Sequence, residues 1–236
     1  MVRAAVQVCT QSSSDHPSNE DRVTIGSQVL SSTTGAERAW LQPPATVAVL
    51  DGVGGAPCAE LASQLAAQVI SAPEAPRTGE EARALFKRAD RVLLDAGQLD
   101  FSRAGMATTA SMLVLLDDDG AAIAINVGDS LLAYLDGARL HEVSASDRIG
   151  SSKLFQTLGG FDDAAMNPHV AALELAVGDR LLLATDGLTD TVSADTIASV
   201  LCQHDTDAAA RLLELARQAG KPDDVTIMVV DVIDDD

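Results

Sequence analysis

Short runs rich in β-branched and apolar residues alternate along this chain with longer segments of helical period. Val2–Cys9, Arg22–Leu30, Thr46–Leu50, Thr108–Leu116, Ala121–Val127, Leu131–Leu135, His169–Leu175, Arg180–Ala184 and Val225–Val232 are of the first kind and predict strands. Pro57–Ser71, Glu80–Leu99, Ala194–Gln203 and Asp207–Ala219 carry apolar residues at helical spacing, the last closed by Gly220 and Pro222. Asp118-Asp119-Gly120 and Asp136-Gly137 separate neighbouring strand runs and predict hairpins, because glycine and aspartate make a positive φ cheap. Ser31–Pro44 and Ser144–Pro168 show neither period and read as loops, with a short helix expected over Ser152–Leu158.

The resulting order is a few strands, two helices, a long run of strands, two more helices and a last strand. Strands that follow one another without intervening helices pair as antiparallel sheets, with the helices outside. The expected fold is therefore α+β, and residues 1–236 read as one domain, with no repeat and no low-complexity linker.

Composition narrows the function classes. Apolar residues make up 47% of the chain and charged residues 22%, ordinary values for a globular protein. The 16 Lys and Arg against 35 Asp and Glu leave a net charge of −19. That field repels nucleic acid and anionic lipid, so neither is an expected partner. The carboxylate excess has two readings: a surface kept soluble by charge, or a supply of oxygen ligands for divalent cations. The three cysteines (Cys9, Cys58, Cys202) form no CxxC pair, which argues against zinc and a disulfide framework, and they are expected to be buried small hydrophobes. His141, His169 and His204 lack metal-ligand spacing, and the aromatic residues are too scattered to stack nucleobases. With no signal-type or membrane-length apolar run, the chain reads as soluble and cytoplasmic.

The acidic residues gather where strands end. Asp51-Gly52-Val53-Gly54-Gly55 follows one strand, Gly128-Asp129-Ser130 another, and Thr185-Asp186-Gly187 a third, with Asp190 one turn further on. Asp223-Asp224 and Asn19-Glu20-Asp21 each precede a strand. Any one of these is ordinarily a solvated turn. Several converging at the ends of a layered sheet would repel one another unless cations neutralised them. Oxygen-only ligands point to Mg²⁺ or Mn²⁺, and chemistry at paired ions of that kind is usually hydrolytic phosphoryl transfer.

The succession Asn19-Glu20-Asp21, Val49-Leu50-Asp51-Gly52-Val53-Gly54-Gly55, Ala107-Thr108-Thr109-Ala110, Asn126-Val127-Gly128-Asp129-Ser130, Ala184-Thr185-Asp186-Gly187-Leu188-Thr189-Asp190 and Asp223-Asp224-Val225-Thr226 resembles the metal-dependent serine/threonine protein phosphatases of type 2C in their small bacterial form. The motifs keep the family's order across nearly the whole chain. The resemblance implies two antiparallel sheets packed as a sandwich and flanked by helix pairs. It implies two, or with a weaker third, Mg²⁺ or Mn²⁺ ions at one end of that sandwich. Asp51 matches the bridging aspartate, the Gly52 carbonyl a backbone ligand, and Glu20 a ligand of one ion. Asp186 and Asp223 match ligands of the other, and Asp129, near Asp186 and Asp190, part of the third site. The activity implied is hydrolysis of phosphoserine and phosphothreonine by a hydroxide between two cations, with Asp51, Asp186 and Asp223 at the centre of the chemistry. Phosphoproteins made by a cognate Ser/Thr kinase would be the substrates, and a monomer is expected.

Several positions depart from that pattern. His16 stands where the family carries a phosphate-gripping arginine, so weaker phosphate binding that improves at lower pH is expected. Val53 stands where many eukaryotic members have a histidine, Ala107 opens the motif usually begun by glycine, and Asp224 replaces a common asparagine and could compete with Asp223 as a ligand. The segment between Leu140 and Val170 is shorter than the usual flap; its Lys153 could attract phosphate but reads first as a surface charge. The competing readings are a catalytically silent domain that binds phosphoproteins as a regulator, and an acidic cation-binding module unrelated to phosphate. Retention of Glu20, Asp51, Asp186 and Asp223 favours the enzyme over the first, and the glycines beside Asp51 and Asp186 disfavour the second.

Overall fold

Two six-stranded antiparallel sheets stack face to face in the computed structural model, which describes residues 2–234 except 15, 118, 144–145, 150–152, 162–165 and 221–222. The chain opens with β1 (Val2–Gln11), β2 (Arg22–Ile25), β3 (Gln28–Leu30), β4 (Glu37–Leu41) and β5 (Ala45–Leu50), then α1 (Ala59–Ile70) and α2 (Gly79–Leu99). Next come β6 (Ala107–Thr108), β7 (Ala110–Leu115), β8 (Ala121–Val127), β9 (Leu131–Asp136) and β10 (Arg139–Glu142). The short strands β11 (Arg148–Ile149), β12 (Lys153–Leu154) and β13 (Leu158–Gly159) precede β14 (His169–Glu174) and β15 (Arg180–Ala184). The last elements are α3 (Asp186–Thr189), α4 (Ala194–Leu201), α5 (Ala208–Ala219) and β16 (Val225–Asp234). One sheet runs β10-β9-β15-β16-β1-β4 and the other β14-β8-β7-β5-β2-β3.

Side-chain alternation sorts each strand between two cores. Val6 and Val8 of β1, Val47 and Val49 of β5, Leu113 of β7, Leu181 and Leu183 of β15, and Met228 and Val230 of β16 meet between the sheets. The residues between them point outward: Met112 and Val114 pack under Ala66, Phe86 and Leu93 of α1 and α2, and Leu182 and Val229 under Ile197, Leu201 and Leu212 of α4 and α5. Strands covered on both faces carry apolar residues at every position, which is why they read as continuous runs. The sandwich with flanking helix pairs is thus the expected one. Among the described residues no helix is long and apolar enough to cross a membrane.

Local signals set the helix ends. Thr78 accepts a hydrogen bond from the Glu81 N–H at 3.1 Å and caps α2, while Ser193 does the same for α4 from Thr196. Gly220 closes α5 with φ 77°, the left-handed turn the sequence predicts there; Pro222 lies outside the described residues. Both predicted hairpins form, β7–β8 and β9–β10, although Asp118 lies outside the described residues.

Four expectations are corrected. Arg22–Leu30 is not one strand but a hairpin in which β2 pairs with β3, Ile25 opposite Gln28, around Gly26 at φ 56°. Ser31–Pro44 is not all loop: β4 pairs with β1, Ala39 opposite Val6. It is an edge strand with Trp40 64% exposed, so only Ala39 and Leu41 reach the core and the apolar signal is weak. No helix spans the described part of 152–158 (Ser152 lies outside it). β12 pairs with β11, and β13 pairs with β6, Leu158 opposite Thr108. Leu158 is fully buried under α2 while Phe155 is exposed, so the spacing that suggested one helical face marks two different environments. Of the cysteines, all free, Cys9 is buried, whereas Cys58 is exposed and sits at a left-handed position before α1 and Cys202 is half-buried.

Candidate active site

Strands β5, β8 and β15 end, and β2 and β16 begin, at the same end of the sandwich, so the acidic turns attached to them converge. A cleft of about 380 Å³ opens there, lined by His16, Glu20, Asp51, Gly52, Asp129, Asp186, Asp190 and Asp223. These are all eight residues named from the sequence. Val53, Thr109, Arg148 and Asp224 also line it.

Asp51 follows the last residue of β5. Its N–H donates to Thr109 Oγ1 at 3.1 Å, and its carbonyl accepts from the Thr109 N–H and the Thr108 hydroxyl, both at 2.8 Å. Thr109 Oγ1 also meets Ser130 Oγ at 2.7 Å, which couples the Asp51 turn to the one carrying Asp129. Burial pushes the Asp51 carboxyl well above its ordinary pKa, and the carboxylates of Asp21, Asp186, Asp223 and Asp129 push it further. At Gly52 a Cβ would lie 2.5 Å from the Ala59 carbonyl oxygen and 3.0 Å from that of Glu20, so only glycine lets the chain pass between α1 and the Glu20 turn.

Glu20 is held by its own backbone. Its N–H donates to Asp224 Oδ2 at 2.6 Å, and its carbonyl accepts from the Gly52 N–H and from Ser63 Oγ. Buried Arg22 clamps the turn from below through the carbonyls of Asn19 and Asp21. Burial raises the Glu20 pKa, with Asp224, Asp223 and Glu60 adding to the rise and His16 opposing it.

Asp224 is a clasp. Its carboxylate, 3% exposed, accepts from the N–H groups of Ser13 and Glu20 and faces His16 Nδ1 at 3.0 Å. One ligand atom each from His16, Glu20 and Asp224 lies within 4.8 Å of the others. Asp223 precedes it on the cleft wall. His16 is 30% exposed. Burial pulls its pKa down, but the bond to Asp224 and the charges of Asp224, Glu20 and Asp223 outweigh this and the net shift is upward.

Asp186 opens α3. A Cβ at Gly187 would sit 2.0 Å from the Asp224 carbonyl oxygen, so this glycine brings the first turn of α3 onto the segment carrying Asp223 and Asp224. Beneath it, Thr185 and Thr226 donate their hydroxyls to Asp21 Oδ2 at 2.9 and 2.6 Å.

Sequence reasoning missed Arg148. Its Nε donates to Asp129 Oδ2 at 2.6 Å, Nη1 to Asp190 Oδ1 at 2.6 Å and Nη2 to Asp186 Oδ2 at 2.5 Å. The only sequence signal was a lone arginine between strands. The backbone of Lys153 falls in β12; its side chain lies outside the described part of the structure.

Among the described lining residues are seven carboxylates, one guanidinium and one histidine. Oxygen donors crowded until a carboxyl pKa climbs, beside a glycine that leaves no room for a side chain, fit hard divalent cations. A sequence profile of the family described as Protein phosphatase 2C matches residues 32–220. The chain belongs to that family. The matched span holds Asp51, Gly52, Asp129, Asp186 and Asp190, while His16, Glu20 and Asp223 fall outside it. Over 240 residues the chain is 28% identical to the serine/threonine protein phosphatase PstP of Mycobacterium tuberculosis, covering 92% of this chain but 43% of that relative. It thus spans less than half the length of PstP. Protein phosphatase PhpP of Streptococcus pneumoniae is 24% identical over 218 residues, covering 80% of this chain and 87% of that one. In fold, the crystal structure of the M. tuberculosis enzyme matches with a TM-score of 0.78 at 23% identity, covering 98% of this chain and all of that one. The catalytic domain of PstP in complex with two manganese ions matches with a TM-score of 0.78 at 24% identity, covering 99% of this chain and all of that one.

Proposed function

We propose that this type 2C phosphatase-family chain hydrolyses phosphoserine and phosphothreonine in proteins with the help of Mg²⁺ or Mn²⁺. The observation that carries the reading is the convergence of Glu20, Asp51, Gly52, Asp186 and Asp223 on one cleft, with the Asp51 carboxyl pushed up by its acidic neighbours. Glu20, Asp51 and the Gly52 carbonyl would hold one ion, and Asp51, Asp186 and Asp223 a second; the catalytic domain of PstP, of the same fold, is solved in complex with two manganese ions. Bound there, such ions would activate a water for direct attack on phosphorus and offset the phosphate's charge.

The chain's own residues do the rest. Thr108 and Thr109 fix the Asp51 turn, Asp224 fixes Glu20, and Gly187 lets the first turn of α3 approach the Asp224 carbonyl. His16, held at Nδ1 by Asp224, is the group we assign to the substrate phosphoryl oxygens, and its raised pKa suits an anion. The substrates would be phosphoproteins produced by a Ser/Thr kinase, and a monomer suffices because every assigned residue comes from one chain.

The test is hydrolysis of p-nitrophenyl phosphate and of a phosphothreonine peptide by the purified protein with Mn²⁺, with EDTA and with Asp51→Asn. Turnover that requires Mn²⁺ and vanishes in the variant supports the reading. Binding of the phosphopeptide without turnover of either substrate would replace it with a phosphoprotein-binding regulator.

A further inference from the structure

The Arg148 guanidinium sits in the candidate site in an uncommon way. An arginine on a carboxylate ordinarily spends two parallel N–H groups on one partner. Here three nitrogens serve three different carboxylates, at 2.5–2.6 Å each. Those carboxylates come from separate places: Asp129 from the turn between β8 and β9, Asp186 from the first residue of α3, and Asp190 from its C-terminal cap. One oxygen from each surrounds a single positive centre, the arrangement that monodentate carboxylates take around a metal ion.

The centre is fixed by the main chain as well. The Asp147 N–H donates to the Gly128 carbonyl at 2.9 Å, and the Gly128 N–H returns a bond to Asp147 Oδ2 at 2.9 Å. Asp147 also meets His169 Nε2 and Gln156 Nε2 at 2.9 and 3.0 Å. The residue before Arg148 is therefore clipped to the residue before Asp129, so the guanidinium and its first partner are positioned by one local unit. With the Arg148 side chain 22% exposed and Asp129 only 9%, the pairs are shielded more than a surface ion pair.

We propose that Arg148 stands in for a divalent cation between Asp129, Asp186 and Asp190, and thereby acts as a positioning residue for the Asp186 carboxylate. The inference deepens the phosphatase reading and rests on it where it assigns Asp186 to a metal ion. Three carboxylates cannot share so small a space without a counter-charge. The guanidinium supplies it from within the chain, and a divalent ion brought to the same oxygens would have to displace it against like charge. The protein therefore binds one cation fewer at this cleft than its carboxylates could hold.

Mn²⁺ bound per chain, counted by electron paramagnetic resonance of the free ion at equilibrium, tests this in the wild type, Arg148→Gln, Asp190→Asn and the double variant, with circular dichroism confirming the fold. Arg148→Gln is expected to bind one more Mn²⁺ than the wild type, the double variant to return to the wild-type count, and Asp190→Asn alone to leave it unchanged. An unchanged count in folded Arg148→Gln overturns the proposal. So does loss of an ion in Asp190→Asn, a surface substitution that stays informative even if the arginine variant misfolds. Asp51→Asn in the same titration separates the two readings: Mn²⁺ binding indifferent to it sinks the metal assignment, whereas the change at Arg148 stands or falls by itself.

Discussion

Asp224 Oδ1 faces His16 Nδ1 at 3.0 Å while Oδ2 of the same carboxylate accepts the Glu20 N–H at 2.6 Å, so one buried side chain sets both the candidate phosphate contact and a candidate metal ligand. Asp224 immediately precedes β16 and lines the cleft. Asp224 therefore holds its neighbours in place, and Asp223 beside it lines the same cleft.

The His16–Asp224 pair makes phosphate affinity the quantity to measure. Replacing His16 with alanine removes one charge-assisted donor, a loss of about 1.5–3 kcal/mol for such a bond. The expected result is a rise in KM for p-nitrophenyl phosphate on the order of 10-fold or more, with kcat changed far less. A fall in kcat at constant KM would place His16 in the chemistry instead.

Gly52 offers a test of the cleft's framework. Its Cβ would lie 2.5 Å from the Ala59 carbonyl oxygen and 2.7 Å from the carbonyl carbon, both backbone atoms that cannot swing aside. Gly52→Ala should cost about 1–3 kcal/mol as overpacking does, and on the order of 2–4 °C of Tm for each kcal/mol in a chain this size. Because the displaced segment carries Asp51, Mn²⁺ affinity should fall with it. A variant with unchanged melting temperature and Mn²⁺ affinity would show that α1 yields freely.

Much of this was legible in the sequence, for a physical reason. β8 and β15 are buried on both faces and carry the apolar runs Ala121–Ile125 and Leu181–Ala184, and their predicted limits, Ala121–Val127 and Arg180–Ala184, are the observed ones. The acidic turns sit at strand ends, and the sandwich needs only to bring those ends together for all eight named residues to meet. What escaped depends on distant partners. β4 has one neighbouring strand and two core contacts, too few to impress a pattern on Glu37–Leu41. Arg148 meets carboxylates 19 to 42 residues away, a relationship no local spacing encodes.

The cysteines predict a graded chemistry. Burial pushes the Cys9 thiol up to about 11, only partly offset by Arg217, so at pH 8 roughly one thiol in a thousand is ionised. Cys58 lies exposed at the start of α1. In the native protein at pH 8 a thiol reagent should label Cys58 readily and leave Cys9 untouched until the protein is unfolded. Mass spectrometry of the labelled peptides reads this directly, and native labelling of Cys9 would contradict its buried place on β1 beneath the α4–α5 layer.

Asp21 ties stability to pH beneath the site. Its Oδ2 accepts from Thr185 and Thr226, while Oδ1 is buried without a hydrogen-bond partner among the described residues. Burial raises its pKa to about 8; the threonine hydroxyls work against the rise and the charges of Asp224 and Asp223 add to it. The folded state thus holds a proton that the unfolded chain releases near the ordinary carboxylate value. Between those two values folding takes up a proton, so the stability linked to Asp21 is fully present below the unfolded pKa and is lost as pH rises toward 8. Asp21→Asn removes that dependence. In EDTA, the melting temperature of the variant relative to wild type should climb steadily from pH 5 to pH 8.5. A difference that stays flat across that range would mean Asp21 is ionised in the folded protein throughout, with its charge met by the threonine hydroxyls alone.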